Sequence, residues 1–118
     1  MSYVQGFIVP VPKAKKEVYV KLSKASAPIF QEYGAVRIVE NWSEVTPDGK
    51  VTDFKKSVQA EADEAVVFSW IEWPDQATCD AATEIMESDP RWAEMGEMPF
   101  DGKRMIYAGF DTIFESGK

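Results

Sequence analysis

Histidine is absent from this 118-residue chain. That excludes a histidine general base, a Ser-His-Asp or Cys-His nucleophile, and imidazole ligation of haem or zinc. Acid–base chemistry is left to Asp, Glu, Tyr and Lys, and no cofactor is implied. Cysteine is almost as scarce. The one thiol, Cys79, can neither close an intrachain disulfide nor build a metal site alone, which predicts a reducing, cytoplasmic setting. No apolar run approaches the roughly 20 residues of a membrane span. The stretch Met1-Ser2-Tyr3-Val4-Gln5 lacks the basic-then-apolar pattern of a secretory signal. Cations are outnumbered, with 13 Lys and Arg against 20 Asp and Glu and a net charge of −7. Binding a polyanion takes clustered cations, so neither nucleic acid nor a membrane is expected as a partner. Residues 1–31 run the other way, with five lysines against one glutamate. On an amphipathic helix such a cluster reads as a solvated face.

What is present is ordinary globular material, 45% apolar and 28% charged, of a length that predicts one domain over residues 1–118. A first strand is predicted from Tyr3 to Val9, closed by Pro10 and Pro12. A helix follows over Lys13–Tyr33, with Ala14, Val18, Leu22, Ala25 and Ile29 as its apolar stripe and Lys13, Lys16, Lys21 and Lys24 opposite. Pro28 removes one helical hydrogen bond and should kink or break the last turns, and Gly34 supplies a left-handed stop. A second strand is predicted over Ala35–Val45, a turn at Thr46-Pro47-Asp48-Gly49-Lys50, and one helical turn over Asp53–Val58 capped by Thr52. The third strand, Ala65–Trp73, is nearly continuously apolar. Asp75 is suited to cap a helix over Gln76–Ser88 with Ala81, Ala82, Ile85 and Met86 inward. Asp89-Pro90 ends that helix, Arg91–Met95 forms one more turn, and a final strand spans Lys103–Phe114.

Strand, helix, strand, then strand, helix, strand is the split βαβ, or ferredoxin-like, pattern of an α+β fold, an antiparallel sheet with both helices on one face. The third and fourth strands are apolar on both sides. Ile106, Ala108 and Phe110 lie on one face of the last strand, and Met105, Tyr107 and Gly109 on the other. A strand apolar on both sides needs cover on both, and a chain this short has few elements to provide it. A second copy packed sheet against sheet supplies the missing layer, so a homodimer is expected.

Three blocks resemble the YbaA-like family of small bacterial proteins of unknown function. They are Gly34-Ala35 through Glu40 and Trp42; Val67-Phe68-Ser69-Trp70 ending at Trp73-Pro74; and Met98-Pro99-Phe100-Asp101-Gly102-Lys103-Arg104-Met105-Ile106-Tyr107. Asp89-Pro90-Arg91 falls between the last two. One departure is Ala108-Gly109-Phe110, where the family pattern reads Gly-Gly-Phe. The resemblance implies a dimeric α/β barrel, in which two antiparallel sheets pack together. It implies no activity, since relatives sharing that architecture range from cofactor-free monooxygenases to lactone isomerases and haem enzymes, and fold is a poor guide to function.

Among candidate site residues, Arg104 stands out. With Tyr107 it is suited to hold a small carboxylate by charge-assisted hydrogen bonds; the competing reading is an ion pair with Asp101, Glu72 or Asp80. The two have opposite strand parity, so a straight strand cannot aim both into one pocket. Trp42 and Trp70, with Trp73, Trp92, Phe68 and Phe110, either line a ligand pocket or form core and dimer interface. Asp80, Glu84 and Glu87 share a helix face and read as a solvated acidic patch rather than a metal site. Cys79 reads as a small packing residue. Two functions follow. One is binding or cofactor-free conversion of a small apolar, aromatic or carboxylate-bearing metabolite, with Arg104, Tyr107, Trp70 and Trp42 as ligand contacts. The other is a non-catalytic dimeric protein-interaction module.

Overall fold

In β1 (Tyr3–Pro12) and β3 (Glu64–Trp73) every second side chain points the same way, and this alternation organises the whole molecule. The computed structural model describes residues 2–117. The other elements are α1 (Lys16–Glu32), β2 (Arg37–Ser43), α2 (Phe54–Ser57), α3 (Gln76–Ser88), α4 (Arg91–Glu94) and β4 (Ile106–Asp111), with 3-10 turns at Lys13–Lys15 and Gly102–Arg104. The four strands form one antiparallel sheet in the order β2-β3-β1-β4. The fold is therefore α+β. Among the described residues no helix is long and apolar enough to cross a membrane.

The register Val9↔Val67, Phe7↔Ser69 and Gln5↔Ile71 puts the odd-numbered residues of the two central strands on one face. Both long helices cover that face. Val9, Val11 and Val67 pack with Tyr19 of α1, and Ile71 and Trp73 pack with Cys79 and Ala82 of α3. Trp73 is 1% exposed and donates its indole N–H to Gln5 Oε1 at 2.9 Å. The opposite face carries Ile8, Phe68, Trp70, Ile106 and Phe110, and no element covers it fully: Phe68 is 42% exposed and Phe110 55%. A Cβ at Gly109 would fall 1.8 Å from the Tyr3 hydroxyl, so any larger residue there displaces the Tyr3 ring.

Several expected boundaries move for physical reasons. β1 continues through Pro10 and Pro12 because β4 pairs only as far as Ile8, leaving those prolines beside no strand that needs their amides. α1 begins after a 3-10 turn and runs unbroken through Pro28. Gly34 ends the turn after it with φ of 115°. Asp53, not Thr52, caps α2 by accepting the Lys56 amide at 2.7 Å, and Asp75 caps α3 through Thr78 as expected. Arg104 lies in a 3-10 turn and does not open β4, which is shorter than predicted at both ends.

The faces of the helices differ too. On α3, Cys79 and Ala82 are buried whereas Ala81, Ile85 and Met86 are exposed. On α1, Ile29 is buried and Leu22 faces the cavity as expected, but Ala14, Val18 and Ala25 are exposed, and the sheet-facing side also takes in Tyr19, Ser23, Ser26 and Phe30.

Candidate functional site

Beneath α1 the packing is incomplete. The serines and aromatic rings of its inner face leave a cavity of about 200 Å³ above Val9, Ser69 and Ile71, roofed by Trp92, Met98, Phe100 and Met105. A second hollow of about 340 Å³ opens along the α1–β2 edge, between Lys16, Val20, Lys24 and Trp42. The two share Tyr19, Ser23, Ile38 and Glu40 in their walls, so Glu40 borders both.

Glu40 reaches this place by strand parity. It sits on β2 between Ile38 and Trp42, on the helix-covered face, directly across the ladder from Ser69. Tyr19, one 7% exposed side chain on α1, donates its hydroxyl hydrogen to Glu40 Oε1 at 2.8 Å. The open cleft leaves Glu40 reachable by solvent. The surrounding protein nevertheless disfavours its charge and pushes its carboxyl above the usual range, against the opposing pull of Tyr19 and Ser69. Burial and the neighbouring Glu40 also push the Tyr19 phenol up. Tyr19 therefore stays protonated and serves as a donor. At the mouth, Lys16 Nζ stands 5.7 Å from the centre of the Trp42 ring, and that ring packs on Tyr19.

A second network fixes the roof. The Tyr33 hydroxyl at the end of α1 donates to Asp89, and the Trp92 indole N–H donates to the Tyr33 oxygen at 3.0 Å. Arg91 bridges Asp89 and Glu32 at 2.7 and 2.6 Å, and its guanidinium holds the Asp89 carboxyl well below the usual carboxylate range. The helix break at Asp89-Pro90-Arg91 thereby becomes a tie between α1 and the segment over the cavity.

The four residues singled out from sequence are not brought together. The Arg104 guanidinium donates to both oxygens of Glu64 at 2.7 Å, to Asp101 Oδ2 at 3.1 Å and to the Gln59 carbonyl at 2.9 Å. Of the expected acidic partners only Asp101 is present, and Glu64 takes the principal place. Arg104 in turn holds the Glu64 carboxyl below the usual range. Trp70 lies on the opposite face of the sheet, its N–H on Glu72 at 2.9 Å. Tyr107 is 70% exposed on edge strand β4, stacked on Phe7, while Trp42 is on the other edge strand, β2. At about 4.8 Å per strand these edges are roughly 14 Å apart. Only Trp42 borders the cleft that holds Glu40.

Residues 2–102 match a family described as "Protein of unknown function (DUF1428)", and the chain belongs to it. It is similar to the "Uncharacterized protein YbaA" of Escherichia coli strain K12, 57% identical over 116 residues that cover 98% of this chain and 99% of that protein. The protein of the same description from Shigella flexneri matches with the same identity and coverage.

Proposed function

We propose that the protein binds a small apolar or aromatic metabolite bearing a carboxylate in the cleft between α1 and the sheet, without a cofactor, as a homodimer of ferredoxin-like subunits. The single observation that carries the reading is the Tyr19–Glu40 pair in the shared wall of two cavities with largely apolar linings. Pockets of a few hundred Å³ with a few convergent polar groups are the usual form of small-ligand sites. Lys16 and Lys24 at the mouth suit the carboxylate; among the described residues neither has an acidic partner.

The strand order supports the ferredoxin-like assignment, since each βαβ unit leaves room for a strand of the other between its own two strands. The uncovered Phe68, Trp70, Ile106 and Phe110 support a second copy on the free sheet face, because exposed apolar patches of this kind mark interaction surfaces.

Sedimentation at low micromolar concentration is expected to give the dimer alone, and a folded monomer there would remove the dimer from the reading. A thermal-shift screen of aromatic and aliphatic carboxylates is expected to raise the melting temperature, as any native-state ligand does. The effect should disappear when Ser23→Phe fills the cleft. A dimer with no response to any carboxylate would favour the interaction-module reading.

A further inference from the structure

Building on that reading, we propose that the cleft is catalytic: Glu40 removes a proton from a carbon next to a carbonyl in an aromatic 2-oxo acid whose carboxylate is held by Lys16 and Lys24. Three features of the cleft converge on this substrate class. The apolar cavity under α1 accommodates a ring. The lysines lie at the cleft's opening along the α1–β2 edge, where a carboxylate keeps contact with water. Glu40 lies in the wall common to both spaces, which puts it beside the atoms that join ring to carboxylate.

The hydrogen bond from Tyr19 occupies Oε1 and, with the Ser69 hydroxyl, sets the carboxylate's orientation; Oε2 is the oxygen we assign to the substrate. Tyr19 is thus a positioning residue. A general base must lie within hydrogen-bond reach of the proton it takes and be neither too weak nor too strong for its operating pH. Apolar walls around a carboxylate raise its basicity.

The step balances without a co-reactant. The C–H bond breaks, its proton passes to Glu40 Oε2, and its electron pair forms the C=C bond of an enolate. Reprotonation by Glu40 at carbon restores the keto acid, and protonation at oxygen gives the enol. The net reaction is a tautomerisation, and in D2O it exchanges the carbon-bound hydrogen for deuterium.

Phenylpyruvate is the probe, with its benzylic protons followed by NMR in D2O and its binding measured separately by calorimetry. Wild-type protein is expected to bind it and accelerate exchange. Glu40→Gln should bind within a few-fold of wild type yet lose about 10²-fold or more of the exchange rate, with an unchanged melting profile showing that it folds. The double variant Lys16→Gln/Lys24→Gln should weaken binding about tenfold while keeping exchange at saturation. Binding without accelerated exchange, or exchange undiminished in Glu40→Gln, would overturn the catalytic inference and leave the binding reading intact. Absence of phenylpyruvate binding in the folded wild type would overturn the assigned substrate class, and the screen above would then decide separately whether the cleft binds carboxylates at all.

Discussion

Two glutamates on neighbouring strands meet opposite fates. Glu64, at the start of β3, has both oxygens filled by the Arg104 fork at 2.7 Å and its side chain almost fully covered. Glu40, on β2, has the Tyr19 phenol at 2.8 Å and the Ser69 hydroxyl, no cation paired with it among the described residues, and an open cleft beside it. Arg104 pulls the first carboxyl below the usual range, and burial pushes the second above it. A carboxylate satisfied on both oxygens holds a structure together. One left partly unsatisfied in an apolar cleft is available for a ligand, which is why environments that push titratable groups apart are informative about roles.

The largest effect that tests this contrast is expected at the closed site. Arg104→Met strands Glu64 and frees Asp101 and the Gln59 carbonyl. Chemical denaturation should show a loss of about 2–3 kcal/mol, below the roughly 3–5 kcal/mol of a fully buried pair because Arg104 keeps some contact with solvent. Unchanged stability would mean that the Arg104 fork waits for a ligand after all, and the contrast between the two sites would dissolve.

Glu40→Gln should behave in the opposite way. Removing a charge that its surroundings disfavour should leave stability unchanged or raise it by about 0.5 kcal/mol at neutral pH, a small figure because solvent reaches the side chain. The pH dependence carries the same contrast. Glu64 has a depressed folded pKa, so its contribution is present above its unfolded value of about 4.3 and is lost as pH falls through the folded one. Glu40 has a raised folded pKa, so the wild type gains stability as pH falls through that value, and the advantage of Glu40→Gln shrinks with it. Melting curves of both proteins from pH 7 to about pH 4 would expose the difference; a parallel pair of curves would remove Glu40 from any role that depends on its burial.

Local sequence signals carried the strand and helix order, because the continuous apolar run of β3 and the caps and breakers at Asp75, Asp89-Pro90 and Gly34 act locally. On α1 periodicity placed Ile29 and Leu22 inward correctly but missed the rest of the inner face, because that face is not the most apolar one. The exposed Val18 belongs to the predicted stripe, while Tyr19, Ser23 and Ser26 face the sheet around an unfilled space. A helix lining a cleft does not need the oily stripe of a helix filling a core. Glu40 did leave a trace, as an acid flanked by Ile38 and Trp42 on one face of a predicted strand. The bidentate capture of Arg104 by Glu64 left none, since 40 residues separate them and only the turn before β4 brings them together. The ties from Tyr33 to Asp89 and from Arg91 to Glu32 are equally non-local.

The smallest structural change is expected to give the finest test of the open site. Tyr19→Phe keeps the ring that packs against Trp42 and Phe100 and deletes only the hydroxyl that holds Glu40 Oε1. Stability should change by about 1 kcal/mol or less, the worth of one hydrogen bond whose acceptor can turn to water in the cleft. The proton affinity of Glu40 should change more visibly. The Tyr19 hydrogen bond favours the ionised carboxylate and opposes the effect of burial, so its removal should move the Glu40 titration to higher pH. The other charged groups facing the cleft, Lys16 and Lys24 on α1, stay in place, and the Ser69 hydroxyl still favours the ion. The shift should therefore be upward and incomplete. Carbon-detected NMR of the Glu40 side-chain carboxyl in wild type and Tyr19→Phe measures it directly. An unmoved or downward-shifted titration would mean that Tyr19 does not govern the carboxylate, and would leave Glu40 as exposed and ordinary as any surface acid.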